Sequence, residues 1–158
     1  MRISRVALSI VALSMAGFGL GVAAQQKPAA VAAQKVTVYK TSSCGCCKLW
    51  VDHMKASGFD VQAMDVSSAD VRSVSKAAGL PDEGVSCHTA KVGNYVVEGH
   101  VPASDIQRML KEKPAIAGIA APGMPMGSPG MEQGGAKEAY DVLAFTKDGK
   151  MTVYAKHK

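Results

Sequence analysis

The 158-residue sequence predicts an α/β domain, because strand and helix patterns alternate along it. A strand pattern at 36–39, a helical pattern at 47–57 and a second strand pattern at 59–66 follow one another, which predicts a βαβ unit with parallel strands. Further along, Gly93-Asn94 and Asp148-Gly149 each separate two strand-like runs. Both dipeptides are typical of tight hairpin turns and predict antiparallel pairs.

Residues 1–24 have the pattern of a secretory signal peptide. Arg2 and Arg5 provide the basic start, 6–20 form an apolar stretch, and cleavage is expected after Ala24. The alternative is an uncleaved membrane anchor. It is less favoured because a span needs about 20 apolar residues, whereas this stretch is shorter and rich in small residues.

Removal of the signal peptide leaves a predicted flexible tether at 25–34 and a folded domain at 35–158. It lowers the net charge from +5 to +3, because the signal holds two of the 18 basic residues and no acidic one. The lysines are scattered and do not alternate with aromatic residues, so no nucleic-acid partner is expected. A periplasmic location is expected, without a membrane partner after cleavage.

Two more helices are predicted after the βαβ unit. Ser67 or Ser68 can cap a helix that continues through Ala78. Residues 104–107 have a capping-box pattern, and the helix that they begin is expected to end before Pro114.

The remaining segments are strands and one long loop. Strands are predicted at 85–92 and 95–101, and again at 140–145 and 151–155. Residues 115–135 are rich in Gly, Pro, Ala and Met without a period, which predicts an irregular loop. The order of elements matches a thioredoxin-like fold with an added C-terminal β-hairpin after a Met/Gly/Pro-rich loop.

The most informative stretch places three cysteines in four residues, at Cys44, Cys46 and Cys47. It lies between the first predicted strand and the first predicted helix. The start of a helix favours thiolate over thiol, and Lys40 and Lys48 add positive charge. These cysteines are therefore expected to be reactive or to bind metal.

The fourth cysteine, Cys87, is distant in sequence but is expected to lie beside the other three. In a thioredoxin-like fold, the loop that enters the third strand contacts the cysteine-bearing turn, and here this loop contains Ser86, Cys87 and His88. Such convergence would place four thiols together.

Several interpretations of the cysteines remain open. Cys44 and Cys47 have the C-x-x-C spacing of dithiol oxidoreductases, in which the first thiolate attacks and the second resolves. Cys46 complicates this mechanism, because an extra thiol can divert the mixed disulfide, whereas crowded thiolates suit a soft metal. A structural disulfide with spare thiols is the third interpretation, since exported cysteines are usually oxidised.

Copper(I) is favoured over zinc as the metal. Structural zinc sites with four cysteines usually use two C-x-x-C pairs, and only one is present. Copper(I) prefers thiolates together with thioethers, which Met124, Met126 and Met131 could supply. The alternative for these methionines is flexible packing over the core.

The four histidines differ in their expected distance from the cysteines. His88 and His100 are weaker candidate ligands, because His88 needs an irregular backbone to face the same side as Cys87, and His100 could be a buried structural residue. His53 lies about 9 Å along the helix from the cysteine turn and is expected at the surface. His157 is expected in a frayed tail.

Three segments carry a resemblance to a known family. They are YKTSSCGCCKLWVDHM at 39–54, VSCHTAKVGNYVVEGHVPASDIQRML at 85–110, and PGMPMGSPGME with YDVLAF at 122–132 and 140–145. Together and in this order they resemble the CopG-type periplasmic copper-resistance proteins. The resemblance covers nearly the whole of the chain that follows the signal peptide.

The resemblance implies a thioredoxin-like domain that binds copper at its cysteines, as one ion or as a thiolate-bridged cluster. The implied ligands are Cys44, Cys46, Cys47 and Cys87. The leading hypothesis is thus a periplasmic protein that sequesters Cu(I) for copper tolerance and exchanges the copper or its redox state, with another periplasmic copper-handling protein as a partner. The chain is then a metal-binding protein rather than an enzyme; the alternatives are a thiol-disulfide oxidoreductase and an interaction module with structural disulfides.

Overall fold

The structure is a computed structural model that describes residues 33–158. The predicted signal peptide at 1–24 lies outside the described residues, as does the predicted tether at 25–34 except for its last two residues. These two, Ala33 and Gln34, precede the first strand without regular structure. In the described range, no helix has the length and apolar character needed to cross a bilayer.

The described chain is mixed α/β, with seven strands and three α-helices. In chain order these are β1 (Lys35–Lys40), α1 (Gly45–Ala56), β2 (Asp60–Asp65), α2 (Ser68–Ala77), β3 (His88–Val92), β4 (Tyr95–Glu98), α3 (Ala103–Glu112), β5 (Gly118–Ala120), β6 (Tyr140–Phe145) and β7 (Met151–His157). A short 3-10 turn at Asp82–Gly84 lies between α2 and β3.

The seven strands form one sheet in the order β2-β1-β3-β4-β5-β6-β7. β1 and β2 are parallel and are joined through α1, as the sequence predicts. β4 and β5 are also parallel, and the other neighbouring pairs are antiparallel. β1, β3 and β4 lie near the middle of the sheet, and they supply the segments that form the candidate site.

The main core lies between one face of the sheet and the helices α1 and α3. Trp50 and Met54 of α1 and Ile106 and Met109 of α3 are fully buried there, at helical spacing within each pair. The indole N–H of Trp50 donates to Val101 O at 2.9 Å, which ties α1 to the segment after β4. A smaller cluster contains Leu80, Val96, Ala120 and Phe145, whose strand residues alternate with those of the main core.

The predicted irregular loop at 115–135 is wrong in one part, because β5 lies within it. A strand of three residues is too short to show an alternating pattern in the sequence. Its first residue must be small, since a Cβ on Gly118 would lie 1.9 Å from Val96 O.

The predicted capping box at 104–107 is also wrong. α3 begins at Ala103 with Pro102 as its N-cap residue, and Pro102 has no side-chain cap hydrogen bond. Instead, His53 Nε2 accepts the backbone N–H of Ala103 at 3.1 Å. His53 is half-buried between α1 and α3 rather than free at the surface.

His157 does not lie in a frayed tail. It is the last residue of β7, its Nε2 lies 2.7 Å from Asp105 Oδ2, and its ring stacks on Tyr140 with 4.9 Å between centroids. These contacts attach the end of β7 to α3. The sequence could not reveal them, because they join residues that are far apart along the chain.

Candidate metal centre

The cysteine turn is built by the start of α1. Cys44 is the N-cap residue, and its Sγ accepts the backbone N–H of Cys47 at 3.3 Å. Gly45 begins the helix, so Cys46 and Cys47 lie in its first turn. The N-terminal end of α1 therefore directs unpaired N–H groups and positive potential toward the sulfur atoms.

The four cysteines lie close together, and we refer to Cys44, Cys46, Cys47 and Cys87 as the cysteine cluster. Their sulfur atoms all lie within 4.8 Å of one another. Cys44 and Cys47 form a disulfide, whereas Cys46 and Cys87 are free. Cys46 Sγ is 3.6 Å from Cys44 Sγ, and Cys87 Sγ is 3.5 Å from Cys47 Sγ.

Cys87 reaches the cluster because it lies in a bend immediately before β3. Outside the strand, its side chain does not follow the alternation that separates neighbouring residues to opposite faces. Cys87 Sγ thus contacts both His88 Nδ1, at 3.4 Å, and His100 Nε2, at 3.1 Å. The structure brings both histidines to Cys87, and the three residues form a second group of potential ligands that shares this cysteine.

His100 is oriented by the long loop. Its Nδ1 lies 2.8 Å from Pro129 O, and since a carbonyl oxygen only accepts, Nδ1 carries the proton. Nε2 then presents its lone pair to Cys87, as in histidines that bind metal through one nitrogen and donate through the other. Burial lowers the pKa of His100, which favours this neutral form.

His88 is fully buried beside His100. Its ring centroid is 4.5 Å from that of Trp50 and 5.0 Å from that of His100. Burial, and next the proximity of His100, lower the pKa of His88 to about 3. Within the described part of the chain, its Nε2 has no hydrogen-bond partner.

The thiol of Cys87 is not predisposed to ionise without metal. Burial is the main cause that raises the pKa of Cys87 to about 12, and Cys46 nearby adds to the shift. Binding of a metal must then displace the proton of Cys87. The ammonium of Lys40 is paired with Asp65 of β2 at 2.5 Å, and its charge is also a minor cause of the lowered pKa of His88, after burial and His100.

The methionine-containing loop, residues 121–139 between β5 and β6, contacts the site through its backbone. Met124 is 53% exposed and Met126 is half-buried. Gly123 N–H donates to Val85 O at 3.0 Å, which places the start of this loop beside the segment that leads to Cys87. At the other end, a Cβ on Gly130 would lie 2.8 Å from Cys46 O.

A cleft of about 360 Å³ opens beside the cluster. Cys44 and Cys87 both line it. The other lining residues come from α2, from the turn before α1 and from the segment before β3: Ser68, Val71, Arg72, Thr41, Val85 and Ser86. This cleft gives the cluster access to solvent on the side of α2.

Sequence reasoning missed two contributors to the site. Pro129 supplies the carbonyl that orients His100, and Glu98 is a fully buried carboxylate that contacts residues next to Cys87. A signal for Glu98 was present, because it is an acidic residue in a strand whose other residues are apolar or aromatic. No sequence signal distinguishes the carbonyl of Pro129.

Comparison with known proteins places this chain beside copper-resistance proteins. The family model described as "Protein of unknown function, DUF411" matches residues 85–131. The solved structure titled "Copper resistance protein copG- Form 1" is 41% identical, with a TM-score of 0.73 over 79% of this chain and 98% of that chain. The structure titled "Copper resistance protein copG- Form 2" is also 41% identical, with a TM-score of 0.72 over 80% and 99%. No curated protein matches.

Proposed function

The chain belongs to the CopG family of copper resistance proteins, and we propose on this premise that it sequesters Cu(I) at its cysteine cluster. One observation carries the proposal: four cysteine sulfurs lie within 4.8 Å of one another. Thiolates at this separation can each bind a soft monovalent metal and bridge two ions. A cluster of more than one Cu(I) ion is the arrangement that we favour.

The donor set supports copper over harder metals. The cluster offers sulfur, and the imidazole nitrogens of His88 and His100 lie at its edge. These sulfur and imidazole donors are soft or borderline ligands, which suit Cu(I). Met124 and Met126 are proposed as weaker thioether ligands that assist entry.

The disulfide supports a link between redox state and copper loading. Cys44 and Cys47 can bind copper as thiolates only after their disulfide is reduced. Reduction by a thiol donor delivers two electrons and two protons, forms two thiols, and leaves the donor as its own disulfide. Each thiol then releases its proton when its sulfur binds the metal.

The wider setting is part of the proposal. We place the protein in the periplasm after removal of residues 1–24, with copper ions and a copper-handling protein as partners. We assign residues 35–158 to one domain of the thioredoxin-like class, with β6 and β7 as an added hairpin. The order β1-α1-β2 followed by β3-β4-α3 supports this class.

Anaerobic Cu(I) titration of the reduced protein tests the proposal. We expect stoichiometric uptake, with charge-transfer absorption from thiolate to copper, and a lower stoichiometry in Cys46→Ser and in Cys87→Ser. A matched control is Ala77→Cys, which adds an exposed thiol on α2 away from the cluster. Unchanged stoichiometry in both serine variants, or equal gain from the control, would refute the cluster.

A second candidate function, thiol-disulfide oxidoreduction, is favoured by the Cys44–Cys47 disulfide and by the cleft that exposes Cys44. In this function Cys44 attacks a substrate disulfide and Cys47 resolves the mixed disulfide. Turnover with a small disulfide substrate would then be lost in Cys44→Ser and retained in Cys46→Ser. Copper uptake without such turnover decides for the first function.

A further inference from the structure

Glu98 is a buried titratable side chain for which copper binding provides no direct role. It lies at the end of β4 and is 0% exposed. Glu98 lies two residues before His100, but its carboxylate contacts Ser86 and Thr89 instead. An isolated buried carboxylate is costly, so its contacts need an explanation.

Both carboxylate oxygens of Glu98 accept hydrogen bonds from residues on either side of the Cys87–His88 pair. Oε1 accepts the backbone N–H of Ser86 at 2.8 Å, and Oε2 accepts the hydroxyl of Thr89 at 2.6 Å. Ser86 immediately precedes Cys87, and Thr89 immediately follows His88. One side chain therefore fixes both ends of the two-residue segment that carries a thiol and an imidazole of the site.

In the described residues Glu98 makes no salt bridge, and the charge of Arg72 acts on it only as a minor influence. In the range 33–158, the ion pairs of lysine and arginine are made with Asp65, Asp82 and Asp105. Burial raises the pKa of Glu98 to about 7, against the effect of the Thr89 hydrogen bond. A titratable side chain thus occupies a place where an apolar side chain would be less costly.

The backbone at Glu98 and Gly99 also contacts the segment that carries Cys87 and His88. It pairs with Thr89 across β3 and β4, and Gly99 N–H donates to His88 O at 2.9 Å. Glu98 O accepts the N–H of Ala121 at 3.0 Å, where the methionine-containing loop begins. The position of Glu98 is therefore well defined, and its carboxylate is a rigid reference for the residues that it contacts.

We propose that Glu98 is a positioning residue of the metal centre, which holds Cys87 and His88 at the distances from the other cysteines that copper binding requires. This role rests on the proposed function, because it concerns the same cluster. Glu98 does not touch the metal. It acts through Ser86 and Thr89.

The chain offers matched variants for a test. Glu98→Ala removes both hydrogen bonds. Glu98→Gln can keep both, because its carbonyl can accept from Ser86 and its amide can donate to the Thr89 oxygen, whose own proton can turn to Val71 O at 3.3 Å. Thr89→Val removes one contact at similar volume, and Thr89→Ser retains it.

Two readouts on the reduced protein separate positioning from general stability. The first is Cu(I) affinity, measured by competition with a chromophoric chelator. The second is the rate at which each cysteine is alkylated in metal-free protein, followed by mass spectrometry. For Glu98→Ala we expect about tenfold weaker copper binding and about tenfold faster alkylation of Cys87, with Cys46 unchanged, which is the order of effect expected when buried hydrogen bonds are lost.

The variants that retain the hydrogen bonds show whether these bonds are responsible for the effect. Glu98→Gln and Thr89→Ser should stay within about twofold of the unaltered protein, whereas Thr89→Val should follow Glu98→Ala in direction. If Glu98→Ala fails to fold, the two Thr89 variants alone carry the test. Equal acceleration at Cys46 and Cys87, or no change at Cys87, would overturn the role of Glu98.

The outcome is distinguishable from failure of the proposed function. If the unaltered protein takes up no copper, the proposed function fails, but the alkylation rates still report whether Glu98 positions Cys87. If copper binds and the rates do not respond to Glu98→Ala, only the positioning role fails.

Discussion

At the scale of single residues, the four cysteines are chemically different although their sulfurs are close. Cys44 lies at the helix N-cap and lines the cleft, whereas Cys47 is fully buried behind it. Cys87 is held in a site where its pKa is raised to about 12, mainly by burial. Cys46 is free and 3.6 Å from Cys44, so it can complete a metal cluster but has no required part in a two-cysteine exchange.

His53 gives a prediction about pH. Its Nε2 must be unprotonated to accept the N–H of Ala103, and burial lowers its pKa, with Glu132 opposing the shift to a smaller extent. A lowered folded-state pKa means that the unfolded state binds the proton more readily. The stability that His53 contributes is therefore present above its unfolded pKa of about 6.5 and is lost as the pH falls through the folded value.

Two substitutions at His53 isolate this effect. We expect His53→Phe to lower the free energy of unfolding by about 1 kcal/mol at pH 7.5, because Ala103 N–H loses its acceptor. His53→Gln should retain most of the stability, since its carbonyl can accept the same bond, and should flatten the pH dependence below 6.5. Urea unfolding of the metal-free protein at several pH values measures both; a slope as steep in His53→Gln as in the unaltered protein would contradict the assignment.

The four cysteines of the cluster could be identified from the sequence, but the residues that contact and orient their neighbours could not. The crowding of Cys44, Cys46 and Cys47 is visible in the chain, and the expected strand order led to Cys87. The contact between His100 and Pro129 depends on the path of a loop that lacks any period. Backbone carbonyls leave no sequence signature, so this part of the site could not be predicted.

At the scale of elements, the methionine-containing loop lies against the first turn of α1 at Gly130. Gly130 has φ +86°, and a Cβ there would lie 2.8 Å from Cys46 O and from Trp50 N. The backbone can approach the first turn of α1 this closely only with glycine. Because the neighbouring Pro129 carbonyl orients His100, this approach also matters for the site.

Gly130→Ala tests the close approach against a matched control. Gly134 has a similar φ of +83°, but a Cβ there would have no neighbouring atom within 4 Å, so Gly134→Ala bears only the backbone cost of about 1 kcal/mol. Gly130→Ala should lose about 1–3 kcal/mol more, because its methyl group meets rigid backbone, and should also weaken Cu(I) binding. Chemical denaturation and copper competition provide the two measurements, and equal losses in the two variants would argue against the close approach.

The missed strand β5 and the wrongly predicted cap of α3 have a common physical cause. Strands and helices with several periods, such as β1 and α1, were predicted to within a few residues. β5 has three residues and depends on neighbours on both sides, and the cap of α3 comes from His53 on another helix. Tertiary contacts, rather than local sequence preferences, decide both features.

At the scale of the whole molecule, the site lies at one end of the sheet. Lys40 at the end of β1 pairs with His88 at the start of β3, and Glu98 at the end of β4 pairs with Thr89 beside it. β5 runs parallel to β4, so the loop that follows it leaves from the same end. Four segments that are distant in sequence thus meet there, and each is connected to a different central strand or its helix.

This arrangement predicts a distributed response to copper. Loading with Cu(I) should slow amide hydrogen exchange together in 41–48, 85–89, 98–101 and 127–131, because each segment contributes or orients a group at the site. The exposed edge strand Asp60–Asp65 has no group there and should change little. Exchange followed by mass spectrometry on anaerobic metal-free and copper-loaded protein measures the difference.

The serine variant of Cys87 separates the contributions of the segments. Without the sulfur that joins the two ligand groups, copper can still contact the cysteine turn at 41–48, but protection should be lost from 85–89 and 98–101. A binding free energy shared among segments stabilises each of them only while its own ligand is present. Protection limited to 41–48 in the unaltered protein would show instead that the turn alone holds the metal, and that the convergence of Cys87 and His100 serves the fold.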